Sequence, residues 1–160
     1  MRRGEENKLA QDLIVTMWRK LGAKITIEVS PSVFTFYKKD KILSLETYLY
    51  LNEREGKHIV AAVGQPPANS EPSIRIDLFS RERALPGTIR RIECLEAFMK
   101  YAMAELYNHK TFFRPRVCFK NSESLSPLLL GYQWPVLKLA AESAGASIVE
   151  FEGYDWGKPQ

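Results

Sequence analysis

The sequence is poor in the residues that build metal centres and disulfide frameworks: 160 residues hold two cysteines and two histidines. Cys94 and Cys118 lie far apart with apolar residues beside each, which reads as two buried thiols in a reducing compartment. His58 and His109 stand at no spacing that zinc uses. No metal and no cofactor is expected. No run approaches the ~20 apolar residues of a membrane span. Arg2 and Arg3 precede neither a long apolar stretch nor a small-residue cleavage site, so no secretory signal is expected and the chain reads as cytoplasmic. There is no internal repeat and no low-complexity segment.

What is present is ordinary for a globular domain: 45% hydrophobic and 26% charged residues, enough length for one core. The net charge of +4 permits an acidic partner without requiring one.

Residues 5–21 carry Leu9, Leu13, Met17 and Leu21 at every fourth position, widened by Ile14 and Trp18, which predicts an amphipathic helix ending at Gly22. The period then drops to two. Residues 24–29, 33–37, 42–51 and 58–63 read as an antiparallel meander of three strands or four, with turns at Ser30-Pro31-Ser32, around Asp40, and over residues 52–56. Pro66, Pro67 and Pro72 mark a loop. Residues 73–79 alternate again and read as an edge strand. A core helix is expected over 89–107, a strand over 112–119, a polar loop over 121–127, a second helix over 135–144 and a last strand over 147–151. Strands on either side of a helix favour parallel pairing by right-handed crossover. An antiparallel meander joined to two parallel strands is the mixed-sheet α/β arrangement of ribonuclease H-like domains. The expected division is an N-terminal helix over 1–22, one domain over 23–153 and a tail over 154–160.

Two short motifs carry a family resemblance. Phe113-Arg114-Pro115-Arg116-Val117 is followed, after a polar loop, by a helix closing in Ala144-Gly145-Ala146. Together with the collinear order of elements over residues 24–152, this resembles the first half of MreB, the bacterial actin homologue. The resemblance implies an actin-like ATPase domain, a role tied to cell shape or cytoskeletal assembly, and self-association or a protein partner. It also implies a defect. The family's first phosphate loop reads Asp-Leu-Gly-Thr; here the matching stretch runs Glu28, Val29, Ser30, Pro31, Ser32, Val33, Phe34. Glu28 keeps a carboxylate, but Ser30 stands for the glycine, Pro31 removes a backbone donor, and Val33 and Phe34 are bulky. Glu150 or Glu152 falls near the family's catalytic glutamate. The second phosphate loop belongs to the half beyond this stretch, so the chain is expected not to hydrolyse nucleotide alone. Either it is non-catalytic or another chain completes the site.

Other constellations have plainer readings. Glu28, Asp77 and Glu152 could be offered as a metal-dependent nuclease trio, yet surface carboxylates on strands account for them. Arg75, Arg81, Arg83, Arg90 and Arg91, with Arg114 and Arg116, form a basic set suited to phosphate, although Asp77, Glu82 and Glu93 interleave it. Nucleic-acid binding or nuclease action is therefore the alternative function. Leu13, Met17 and Trp18 on the N-terminal helix suit a membrane interface or docking on this domain or a second copy. Phe34, Phe36, Tyr48 and Tyr50 read as one core face and one partner-facing surface, and Trp134, Tyr154 and Trp156 as cover for an edge.

Overall fold

Period-two alternation lays down the first layer. A computed structural model describes residues 12–17, 21–69, 71–80, 85, 89–107 and 114–154. Strands β1 (Lys24–Val29), β2 (Val33–Lys38) and β3 (Lys41–Glu46) form an antiparallel meander. Strands β7 (Arg116–Lys120) and β8 (Ile148–Phe151) continue the sheet on the other side of β1, both parallel to it, in the order β3-β2-β1-β7-β8.

One side of this sheet is apolar. Ile25, Ile27, Val29, Phe34, Phe36, Val117, Phe119, Val149 and Phe151 are buried there. Helix α1 (Arg91–Leu106) lays Leu95, Phe98, Met99, Ala102 and Met103 against it, spaced three and four residues apart as one helical face requires. The Phe98 ring meets Phe34 edge-on at 5.7 Å, and Phe34 stacks on Phe79 at 5.5 Å. Two lysines of the β2–β3 hairpin finish this helix. Lys38 Nζ donates to the Leu106 carbonyl at 3.1 Å and lies 3.8 Å above the Tyr107 ring, while Lys41 Nζ donates to the Glu105 carbonyl. Both cations sit at the negative end of the helix dipole. A 3-10 turn (Ser122–Leu125), a short helix α2 (Ser126–Leu129) and helix α3 (Gln133–Ser143) follow β7. Ala140 and Ala141 keep α3 slim where it packs beside α1.

The opposite side of the sheet carries Lys24, Thr26, Glu28, Thr35, Tyr37, Ile42, Cys118, Lys120 and Glu150, all exposed or half-buried. No helix among the described residues covers it.

The expected third strand, 42–51, is in fact two. It breaks at Thr47 between β3 and β4 (Tyr48–Arg54), and β4 enters a second sheet with β5 (Lys57–Val63) and β6 (Ile74–Asp77) in the order β5-β4-β6. Glu55 and Gly56, both at positive φ, make the two-residue turn between β4 and β5, the geometry that suits strand twist. The chain changes sheets without a loop because Thr47 is held on three sides. Its N–H donates to Ser32 O at 3.0 Å, its carbonyl accepts from Leu78 N at 3.0 Å, and its hydroxyl donates to Pro31 O at 2.6 Å. The expected polar loop over 121–127 instead holds the 3-10 turn and the start of α2. Asn121 ends β7 in the left-handed region, and Pro127 suits a first helical turn. The edge strand over 73–79 and the two long helices stand close to where periodicity puts them.

Candidate functional site

In open α/β sheets ligands bind beyond the carboxyl ends of the parallel strands. Here those ends are Val29, Lys120 and Phe151. The β1–β2 turn closes directly over the first. Ser30 N donates to Val33 O at 3.0 Å, and Val33 N donates to Ser30 Oγ at 3.0 Å. Pro31 has no N–H to give. Of the four turn residues, at most the Ser32 N–H is left for an anion. The Pro31 and Ser32 carbonyls are held by Thr47.

The loop after β7 closes the space from the other side. Asn121 Nδ2 and Ser124 Oγ both donate to the Val29 carbonyl, at 3.1 and 3.2 Å. Sequence reading missed these two anchors and Thr47. Each is a short polar residue at a strand end, where side chains tie loops to backbone, and that position is the signal that could have found them.

Glu28 points away from the helices, onto the uncovered face. It accepts a hydrogen bond from Tyr37 Oη at 3.2 Å and lies opposite Lys120 in the β1–β7 register. Lys120 pairs with Glu152 at 3.4 Å, both largely solvated. The Tyr37 phenol is held above its ordinary value, first by lost hydration and then by the Glu28 carboxylate it serves. Carboxylate, ammonium and carboxylate thus alternate from β1 through β7 to the residue that follows β8, all in contact with solvent. Asp77 is elsewhere: on β6 its Oδ1 accepts from Phe79 N at 3.0 Å and Ser80 N at 3.1 Å. The trio Glu28, Asp77 and Glu152 is therefore not assembled, and among the described residues no group of acids, cysteines and histidines is placed to hold a metal.

The strand order, with its antiparallel hairpin beside parallel strands and a small sheet inserted between β3 and α1, decides the architecture. The fold is actin-like. It resembles MreB5 of Spiroplasma citri in crystal structures bound to ADP and to AMPPNP, with TM-scores of 0.55 and 0.54. Sequence identity is 14% in both, and the match covers 82% of this chain but 38% of theirs. No family model matches the sequence, and no curated protein matches it.

Within this actin-like frame the basic residues scatter. Arg75 on β6 lies over the Tyr48 ring at 4.8 Å. Arg114 Nε donates to Gly145 O at 3.1 Å. Arg90 and Arg91 open helix α1, where Arg90 occupies the N-cap without a side-chain cap bond; Arg81 and Arg83 lie outside the described residues. Residues 12–17 are helical, with Leu13 and Met17 exposed; Trp18 lies outside the described residues. No helix among those described is long and apolar enough to cross a membrane. Phe34 and Phe36 belong to the core, whereas Tyr48 and Tyr50 are half-buried on the small sheet. Trp134 stacks on Tyr154 at 4.3 Å beside Phe151, covering the end of β8.

Proposed function

We propose that this chain is a non-catalytic, actin-like interaction module of a cytoskeletal kind, binding a protein partner or a second copy of itself. The reading is supported by the turn from Ser30 to Val33, where the Ser30 and Val33 N–H groups are spent inside the turn and Pro31 has none to offer. A phosphate cradle needs several converging N–H groups. What is offered outward instead is strand edge. β5 is one edge of the small sheet and carries exposed Ile59 and Val60 on its two sides, the form of surface that accepts an added strand. Calorimetry with ATP and magnesium is expected to give no binding heat; saturable heat would overturn the non-catalytic reading. Light scattering is expected to show association that Val60→Lys weakens.

A nucleic-acid-binding or nuclease module is the second reading. Arg90 favours it, because a cation at the N-cap of a helix opposes the dipole and so suits an anionic partner better than the helix itself. Binding of that kind falls steeply with salt; a flat salt response or no cleavage of a hybrid duplex argues for the protein partner.

A further inference from the structure

The five-stranded sheet is dressed on one side only. Its parallel strands β1, β7 and β8 belong to a class of sheet that is normally covered on both faces. The second face is open to solvent: Ile42 is 66% exposed there and Tyr37 38%.

Strand register orders that face into rows across the strands. The row at the start of the parallel strands is basic, with Lys24 opposite Arg116. The middle row runs Ile42, Tyr37, Thr26, Cys118 and carries no charge until it reaches Glu150 on β8. The row at the strand ends sets Glu28 opposite Lys120, which reaches Glu152 just past β8. Glu46 lies at this same end, opposite Val33. One end of the face is therefore positive and the other carries an excess of carboxylates. Apart from the Lys120–Glu152 pair, none of these charges forms an ion pair among the described residues. Arg116 Nε is also a buried donor with no partner among them.

A face polarised in this way is complementary to itself. When a second copy is turned by 180° about an axis between the faces and across the strands, its strands run antiparallel to the first. Each basic end then lies over the acidic end of the other copy. On β1, Lys24 and Glu28 stand two residues either side of Thr26. An axis at Thr26 thus places Lys24 of each copy over Glu28 of the other. The uncharged middle rows meet, which takes Ile42 and Tyr37 out of water and brings the two Cys118 residues face to face. An axis along the strands would instead set Lys24 on Lys24 and Glu28 on Glu28.

We propose that the bare face of the five-stranded sheet is a self-association surface, on which two copies of this chain stack face to face with antiparallel strands about a two-fold axis at Thr26. The proposal rests on the second-copy branch of the reading above and gives that branch a surface. Area sets its strength. Five strands ~4.8 Å apart and ~17 Å long make a face on the order of 400 Å² per copy, and the two together fall short of the ~1,200 Å² of stable specific interfaces. With charge at both ends, the pair is a weak, salt-sensitive dimer in exchange with monomer. Strand β5 lies beside α1, on the covered side, so the dimer leaves that edge to a further partner.

Sedimentation velocity of the full chain over a concentration series tests this. The parent is expected to form a reversible dimer whose population falls as salt is added. Lys24→Glu places like charges in both symmetric pairs, and so does Glu28→Lys. Each variant alone should therefore self-associate about tenfold or more weakly. Mixed together, the two should recover nearly the parent affinity, because both pairs are again opposite in charge; recovery also shows that both variants are folded. A short bis-maleimide should link Cys118 to Cys118 in the parent and yield no linked dimer with Cys118→Ser, since Cys94 is buried. A chain that stays monomeric at every concentration overturns the proposal and leaves the protein-partner branch of the reading standing. A dimer indifferent to both charge reversals overturns it too, and if that dimer dissolves in Val60→Lys, self-association belongs to the β5 edge. Saturable ATP binding would do the reverse, removing the non-catalytic reading without touching this face.

Discussion

Thr47→Val removes one oxygen from the joint between the two sheets and leaves its volume almost unchanged. Thr47 is buried, and its hydroxyl donates to the Pro31 carbonyl at 2.6 Å. The backbone bonds to Ser32 and Leu78 do not depend on the side chain. A typical hydrogen bond contributes about 0.5–1.5 kcal/mol net. Pro31 is exposed at the turn, so its freed carbonyl turns to water and avoids the larger penalty of a buried orphan. The expected loss is therefore about 1 kcal/mol, or roughly 2–4 °C in Tm for a chain of this size. Thr47→Ala should lose about 1 kcal/mol more, because a buried methyl goes as well. Thr47→Ser, which keeps the donor, should fall near the valine variant. Urea denaturation measures the series; the midpoint should move while the m-value stays fixed. A valine variant as stable as the parent would refute the reasoning, since the hydroxyl would then contribute nothing beyond its volume.

Gly22→Ala should destabilise by about 1–3 kcal/mol, the usual cost of overpacking, because the Arg114 and Pro115 backbone blocks the new carbon; thermal unfolding measures it. Arg90→Asp should stabilise by about 1 kcal/mol, since it gives α1 the cap it lacks and reverses an unfavourable charge at its N-terminus; a loss in Tm would contradict that assignment. Lys38→Met should cost about 1–2 kcal/mol through the lost contacts to Leu106 and Tyr107, with little dependence on added salt. At alkaline pH stability should fall. Burial first, with Glu93 adding, holds the Cys94 thiol above its ordinary 9.0, and burial holds the Tyr107 phenol above 10.0. Both groups keep their protons more tightly when folded, so their contribution is complete below about pH 9 and is lost as pH rises through the folded values. Unfolding midpoints measured upward from pH 8 check the sign.

Sequence periodicity located the helix from Arg91 to Leu106 and the strands from Lys24 to Lys38, because their buried residues recur at three-and-four or two. It could not locate the change of sheet at Thr47. Leu43 is half-buried and Leu45, Thr47, Leu49 and Leu51 are buried, so alternation runs through the joint unbroken, and no glycine or proline marks it. What divides the strand is a set of hydrogen bonds to residues 31, 32 and 78, which no local pattern carries. The turn at Ser30-Pro31-Ser32 was legible as a turn between the first two strands from its residue types alone. That Asn121 and Ser124 would fasten onto Val29 was not, because they lie more than ninety residues away in the chain.

The seamless passage from β3 into β4 has a mechanical consequence. With no linker between them, the small sheet cannot swing as a separate leaf without first tearing the last rung of the large one, where Val33 lies opposite Glu46. A load applied at the β5 edge would travel along β4 into the strand that carries Leu45 and reach the hairpin tip through Thr47. The small sheet is a lever welded to the main body, and a partner that grips it pulls on the whole domain.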